Sequence, residues 1–196
     1  GIAFGPGDSD TIDDLIRNAD LALYRAKDSG RGVAAVFDDL MHREAEERRL
    51  LQEDLRAALD GNQLRLVYQP IIDIRAGSIV GFEALLRWQH PQRGLLSPDA
   101  FVPIAEESGL IEPIGAWVLR RACLDAAAWP KPLRVAVNIS PAQFGSVALL
   151  NHVAQALAVS HLSADRLEVE ITEALFMNKL TESGRFLADM RTLGIR

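Results

Sequence analysis

With 196 residues, 48% of them apolar and 24% charged, the chain can bury a core and is not a disordered polymer. A net charge of −6 and a pI near 5.2 argue against non-specific binding to DNA, RNA or an anionic membrane, since all of these need a basic field. Cys123 is the single cysteine, and His42, His90, His152 and His161 lack the tight spacing of a zinc site, so a disulfide framework is excluded and a reducing cytoplasm fits.

Gly1-Ile2-Ala3-Phe4 reads as the end of a strand, and Gly194-Ile195-Arg196 as a helix stop followed by something extended, which together predict a segment of a longer protein. No charged-then-apolar leader and no apolar run of about 18 residues appears, so no membrane contact is expected from this segment. Thr11 to Asp14 has capping-box-like spacing, and Leu15, Ile16, Ala19, Ala22, Leu23 and Ala26 then recur at helical spacing as far as Gly30. Gly32 to Phe37 ("GVAAVF") predicts a short strand, and the charged stretch Asp38 to Asp60 a helix of the kind that connects domains.

From Gly61 the texture changes. Leu64 to Ile74 and Ile79 to Trp88 flank Arg75-Ala76-Gly77-Ser78, a hairpin signal. Ser97-Pro98 opens a helix that Gly109 closes; another runs from about Pro113 to Trp129, before a strand over Leu133 to Ser140. A helix over Ser146 to Ser160 leads to the strand Leu167 to Glu173 ("LEVEITE"), and a last helix covers about Thr181 to Leu193. Such alternation predicts parallel β/α units with right-handed crossovers.

Period-two alternation separates two faces on each strand. Val135, Val137 and Ile139 oppose Ala136, Asn138 and Ser140; Leu167, Val169 and Ile171 oppose Glu168, Glu170 and Thr172; Phe82, Ala84 and Leu86 oppose Glu83, Leu85 and Arg87. If parallel strands curl into a barrel, Glu83, Asn138 and Glu170 converge at the rim where barrel enzymes place chemistry. Two carboxylates and an amide oxygen suit Mg²⁺, Mn²⁺ or Ca²⁺ better than zinc. Rim residues bonded to loop backbone and water are the alternative, and the more common fate of isolated polar residues.

Five ordered blocks carry a resemblance: "YQPI" at Tyr68, "FEALLRW" at Phe82, "FVPIAEESGLI" at Phe101, "VNIS" at Val137 and "LEVEITE" at Leu167. They resemble the EAL domain of cyclic di-GMP phosphodiesterases across residues 61–196. "ADLALYRAKDSGR" at Ala19 resembles the closing helix of a GGDEF diguanylate cyclase domain, so residues 1–38 read as its C-terminal remnant and 39–60 as a linker helix. The resemblance implies an α/β fold, a partial (β/α)₈ TIM-like barrel whose first strand runs against the others, and hydrolysis of cyclic di-GMP to pGpG with Mg²⁺ or Mn²⁺. Homodimerisation through the EAL domain is among the partner arrangements it brings.

By the same resemblance, Glu83, Asn138 and Glu170 match metal ligands. Glu173 matches a catalytic glutamate that organises a rim loop near the metals rather than binding them directly. Gln69, Leu85 and Arg87 match positions lining the dinucleotide pocket; Arg87 suits a phosphate or guanine edge, with a surface ion pair as its alternative. Lys27 and Arg31 fall where cyclases contact nucleotide phosphates, but without the GGDEF loop they read better as solvated helix-end charges.

The sequence also departs from the family pattern. The adjacent Asp pair, the lysine and the later acids expected beyond a "TLGIR"-like segment are absent, and residues 61–196 amount to about half of a barrel of roughly 250 residues. The isolated chain is therefore expected to be inactive and marginally folded. Three readings stand: a piece of a cyclic di-GMP phosphodiesterase, a degenerate EAL domain that senses the dinucleotide, and a parent whose GGDEF domain acts as GTP sensor or cyclase.

Overall fold

The computed structural model describes residues 1–30, 32–171 and 180–195, with side chains at 180–183 and 185 left aside. It divides into two units, 1–54 and 55–196, and the division falls within one helix.

In the first unit, α1 (Ile12–Asp28) starts where the sequence signals it: Thr11 Oγ1 accepts from the Asp14 N–H at 3.2 Å and donates to the Asp14 carboxylate at 2.7 Å. Ala22 packs with Phe37 and Met41, and Ala3, Leu21 and Ala35 flank this small core. The strand expected over Gly32 to Phe37 is reduced to a single parallel bridge between Ile2 and Val36. Ile2 donates to the Ala35 carbonyl and accepts from the Phe37 N–H, and the ladder extends no further among the described residues. α2 (Asp39–Asp60) follows as expected, with Arg49 lying between Glu46 and Glu53 on its exposed surface.

The second unit is built on a five-stranded sheet of order β1-β2-β4-β5, with β3 also paired to β2. β1 (Leu64–Asp73) and β2 (Ser78–His90) form the expected antiparallel hairpin. Asp73 Oδ1 accepts from the N–H groups of Arg75 and Ala76, and Gly77 supplies the positive φ of 62° that closes the turn. β3 (Gly94–Leu96) folds back on the end of β2; at three residues it carries no readable alternation, and the sequence does not announce it. β4 (Arg134–Asn138) runs parallel to β2, and β5 (Leu167–Glu170) parallel to β4. β4 is shorter than the span Leu133 to Ser140 suggests, and the end of the span expected for β5, at Thr172 and Glu173, lies outside the described residues. Around them lie α3 (Pro98–Glu107), α4 (Ile111–Ala127), α5 (Val147–Ser160) and α6 (Leu180–Thr192).

One face of this sheet makes the core. Leu64, Ala84, Trp88, Val135, Val137 and Leu167 are buried, as are Leu119, Ala122 and Cys123 of α4 and Leu149 and Val153 of α5. Each large side chain so buried stabilises by about 1.5–3 kcal/mol. Tyr68 fastens β1 to α4 by donating to Asp125 at 2.7 Å, and Trp129 meets the Tyr68 and Phe82 rings edge-on. The opposite face is exposed at Arg65, Val67, Gln69, Asn138 and Glu170.

Candidate functional site

Strand register, not proximity in sequence, assembles the polar row. Glu83 of β2 pairs with Ala136 of β4, which pairs with Glu168 of β5; one two-residue step further, Asn138 pairs with Glu170. Residues paired in this way share a face, so Glu83, Asn138, Glu168 and Glu170 all stand away from the helix-packed core. Asn138 Nδ2 donates to Glu83 Oε1 at 2.6 Å, across 55 residues of sequence. The Ile139 N–H donates to the Glu170 carbonyl at 2.9 Å and ties the two strand ends together.

The electrostatics of the row are unequal. Glu168 forms an ion pair with Arg134, which partly offsets its charge at the base of the strands. Among the described residues Glu170 has no such cation, and its carboxyl is held above the ordinary glutamate range, first by partial desolvation and then by the negative charges of Glu83 and Glu168. A bound cation would relieve that repulsion. The amide oxygen of Asn138 and the carboxylates of Glu83 and Glu170 form an all-oxygen donor set, which fits a hard divalent ion. Among the described residues no group of three or more His, Cys, Asp or Glu is gathered closely enough to hold a metal by itself.

Of the remaining candidates, Gln69 lies directly opposite Glu83, and Leu85 opposite Val67, both on the exposed face. Arg87 lies opposite Arg65 and donates from Nη1 to the Leu86 carbonyl at 2.7 Å. Lys27 is exposed in the last turn of α1. Glu173 and Arg31 lie outside the described residues.

Sequence reasoning missed a support behind Asn138. Ser140 Oγ donates to Glu106 Oε1 at 2.5 Å and accepts from the Ala142 N–H at 3.1 Å, which fixes the turn that leaves β4. Gln143, only 2% exposed, lies against α4 where Gly115 makes room for it: a Cβ at position 115 would meet Gln143 Nε2 at 2.0 Å. Glu106, Gly115, Asn138, Ser140 and Gln143 border a cavity of about 560 Å³. Ser140 lies in the "VNIS" block and Glu106 in "FVPIAEESGLI", but a glutamate on a helix has no readable partner 34 residues away.

The profile of the EAL domain matches residues 52–196. The chain belongs to the EAL domain family. It is 41% identical over 199 residues to the bifunctional diguanylate cyclase/cyclic di-GMP phosphodiesterase MucR of Pseudomonas aeruginosa, covering all of this chain and 29% of MucR. To the cyclic di-GMP phosphodiesterase NbdA of the same organism it is 39% identical over 199 residues, covering 25% of that protein. A signalling protein of Caulobacter vibrioides is 48% identical over 196 residues, 24% of its length. The chain thus spans between 24% and 29% of the length of these relatives. Among solved structures, the MucR phosphodiesterase in complex with c-di-GMP superposes with a TM-score of 0.72 at 40% identity, over 74% of this chain and 61% of that one. The Xanthomonas citri FimX EAL domain in complex with c-di-GMP gives 0.70 at 27% identity, over 79% and 61%.

Proposed function

We propose that this EAL chain forms part of a phosphodiesterase that opens cyclic di-GMP to linear pGpG. The observation that carries the reading is the convergence of Glu83, Asn138 and Glu170 on one exposed strand face, with the Asn138 amide already bonded to Glu83. In the reaction a water oxygen bonds to phosphorus, the bond from phosphorus to one ribose oxygen breaks, and the water's proton ends on that leaving oxygen or in solvent. Glu83, Asn138 and Glu170 would hold Mg²⁺ or Mn²⁺, which supplies an acidified water and charge neutralisation when bound. The chain's own contribution is to fix those oxygens through strand register. Gln69, Leu85 and Arg87 line the approach, where the Arg87 fork suits a phosphate or guanine edge and Leu85 gives an apolar wall.

We read residues 1–38 as the end of a GGDEF domain and 39–60 as its connector to the EAL part, a cytoplasmic arrangement in which Lys27 is a solvated charge. Incubating the full-length protein with cyclic di-GMP and Mg²⁺ or Mn²⁺, followed by chromatography, is expected to give pGpG. Glu83→Ala is expected to lose this while its circular dichroism stays native. Dinucleotide bound but not hydrolysed by the wild type would identify a sensor instead.

A further inference from the structure

Arg65 and Arg87 stand directly opposite one another in the antiparallel register of β1 and β2, on the same face as Gln69, Glu83 and Leu85. Like charges so placed destabilise a hairpin, and the usual remedy is an intervening carboxylate. Among the described residues neither arginine forms an ion pair. Arg65 donates from Nη1 to the carbonyls of Asn62 at 3.0 Å and Leu64 at 3.3 Å, and Arg87 from Nη1 to the Leu86 carbonyl. A guanidinium carries five N–H donors, so both forks retain donors for another acceptor.

Their position along the strand says which acceptor. Glu83 is level with Ala136 and Asn138 with Glu170, so Arg87 lies one two-residue step, about 7 Å, beyond the Asn138 level toward the carboxyl end of β2. An acidic, cation-seeking row is thus followed by a paired cationic row on one exposed face. A cyclic dinucleotide presents two phosphodiesters, and one engaged at the acidic row would leave the other near the arginines.

We propose that Arg65 and Arg87 together clamp a phosphodiester of the bound dinucleotide, with Arg65 acting as a specificity-determining residue in addition to Arg87. This rests on the function proposed above. The register explains why two arginines tolerate one another here: the ligand's anion screens the pair, and in its absence backbone carbonyls hold the two forks.

The test is equilibrium binding of cyclic di-GMP to the full-length protein with EDTA present to prevent turnover, at about 50 and 200 mM salt. Arg65→Ala is expected to weaken binding about tenfold or more and to make the salt dependence shallower, and Arg65→Lys to recover part of the affinity. Mn²⁺ affinity, titrated separately, is expected to be the same in all three proteins. Arg65→Ala binding with wild-type affinity and salt dependence would overturn the clamp, as would a loss of dinucleotide binding accompanied by a loss of Mn²⁺ affinity. A wild type that binds no cyclic di-GMP even with Mn²⁺ would instead overturn the proposed function.

Discussion

Glu170 shows how one residue can report on the whole row. Its carboxyl is held above the ordinary value of 4.5 by desolvation and by Glu83 and Glu168, so between the unfolded and the folded values the folded chain holds more protons than the unfolded one. Stability therefore falls as pH rises through that window. Glu170→Gln removes the cost, and thermal melts in metal-free buffer are expected to show a higher melting temperature at neutral pH and a flatter decline from acid to neutral. A lower neutral melting temperature in the variant would contradict the electrostatic reading. Tyr68 gives the alkaline counterpart. Burial, and then its hydrogen bond to Asp125, raise its pKa, so stability is intact below its unfolded value near 10 and is lost as pH rises above it. Tyr68→Phe is expected to cost about 1 kcal/mol at neutral pH and to make the alkaline decline shallower, as denaturant melts at several pH values would show.

At the scale of elements, the contact between Gly115 of α4 and Gln143 is the most constrained point behind the site. A methyl group there would stand 2.0 Å from Gln143 Nε2, in a region where the Gln143 side chain is buried. Gly115→Ala is expected to destabilise by about 1–3 kcal/mol through overpacking, and Gly115→Ala combined with Gln143→Ala to recover part of that loss in urea melts. If the double variant is no more stable than the single, the strain lies elsewhere. The elements differ in how far the sequence disclosed them. α1, α3 and α5 announce themselves through Thr11, Pro98 and Ser146 at their starts, because caps and period 3.6 are local properties. The strand expected at residues 32–37 does not form because a strand exists only through its partner, and its partner here is little more than Ile2. β3 is hidden for a similar reason. Alternation did place Glu83, Asn138 and Glu170 on one face, whereas the Arg65 and Arg87 pairing needed the register and the Glu106 link to Ser140 needed the fold.

At the scale of the molecule, a hairpin feeding parallel strands accounts for the site's position. β1 runs against β2, β4 and β5 follow β2 in parallel, and the helices take the apolar face, so the polar side chains are left on the other. Such a sheet sets Glu83, Asn138 and Glu170, from three strands, on one face, and the proposed metal centre would draw on all three. In the proposed function Glu83, Asn138 and Glu170 act as one divalent-metal centre. Titration of Mn²⁺ into the full-length protein, followed by the loss of the free-ion paramagnetic signal, tests it most directly. Saturable binding is expected in the wild type, and at least tenfold weaker binding in each of Glu83→Ala, Asn138→Ala and Glu170→Ala. Wild-type affinity retained in all three folded variants would contradict it.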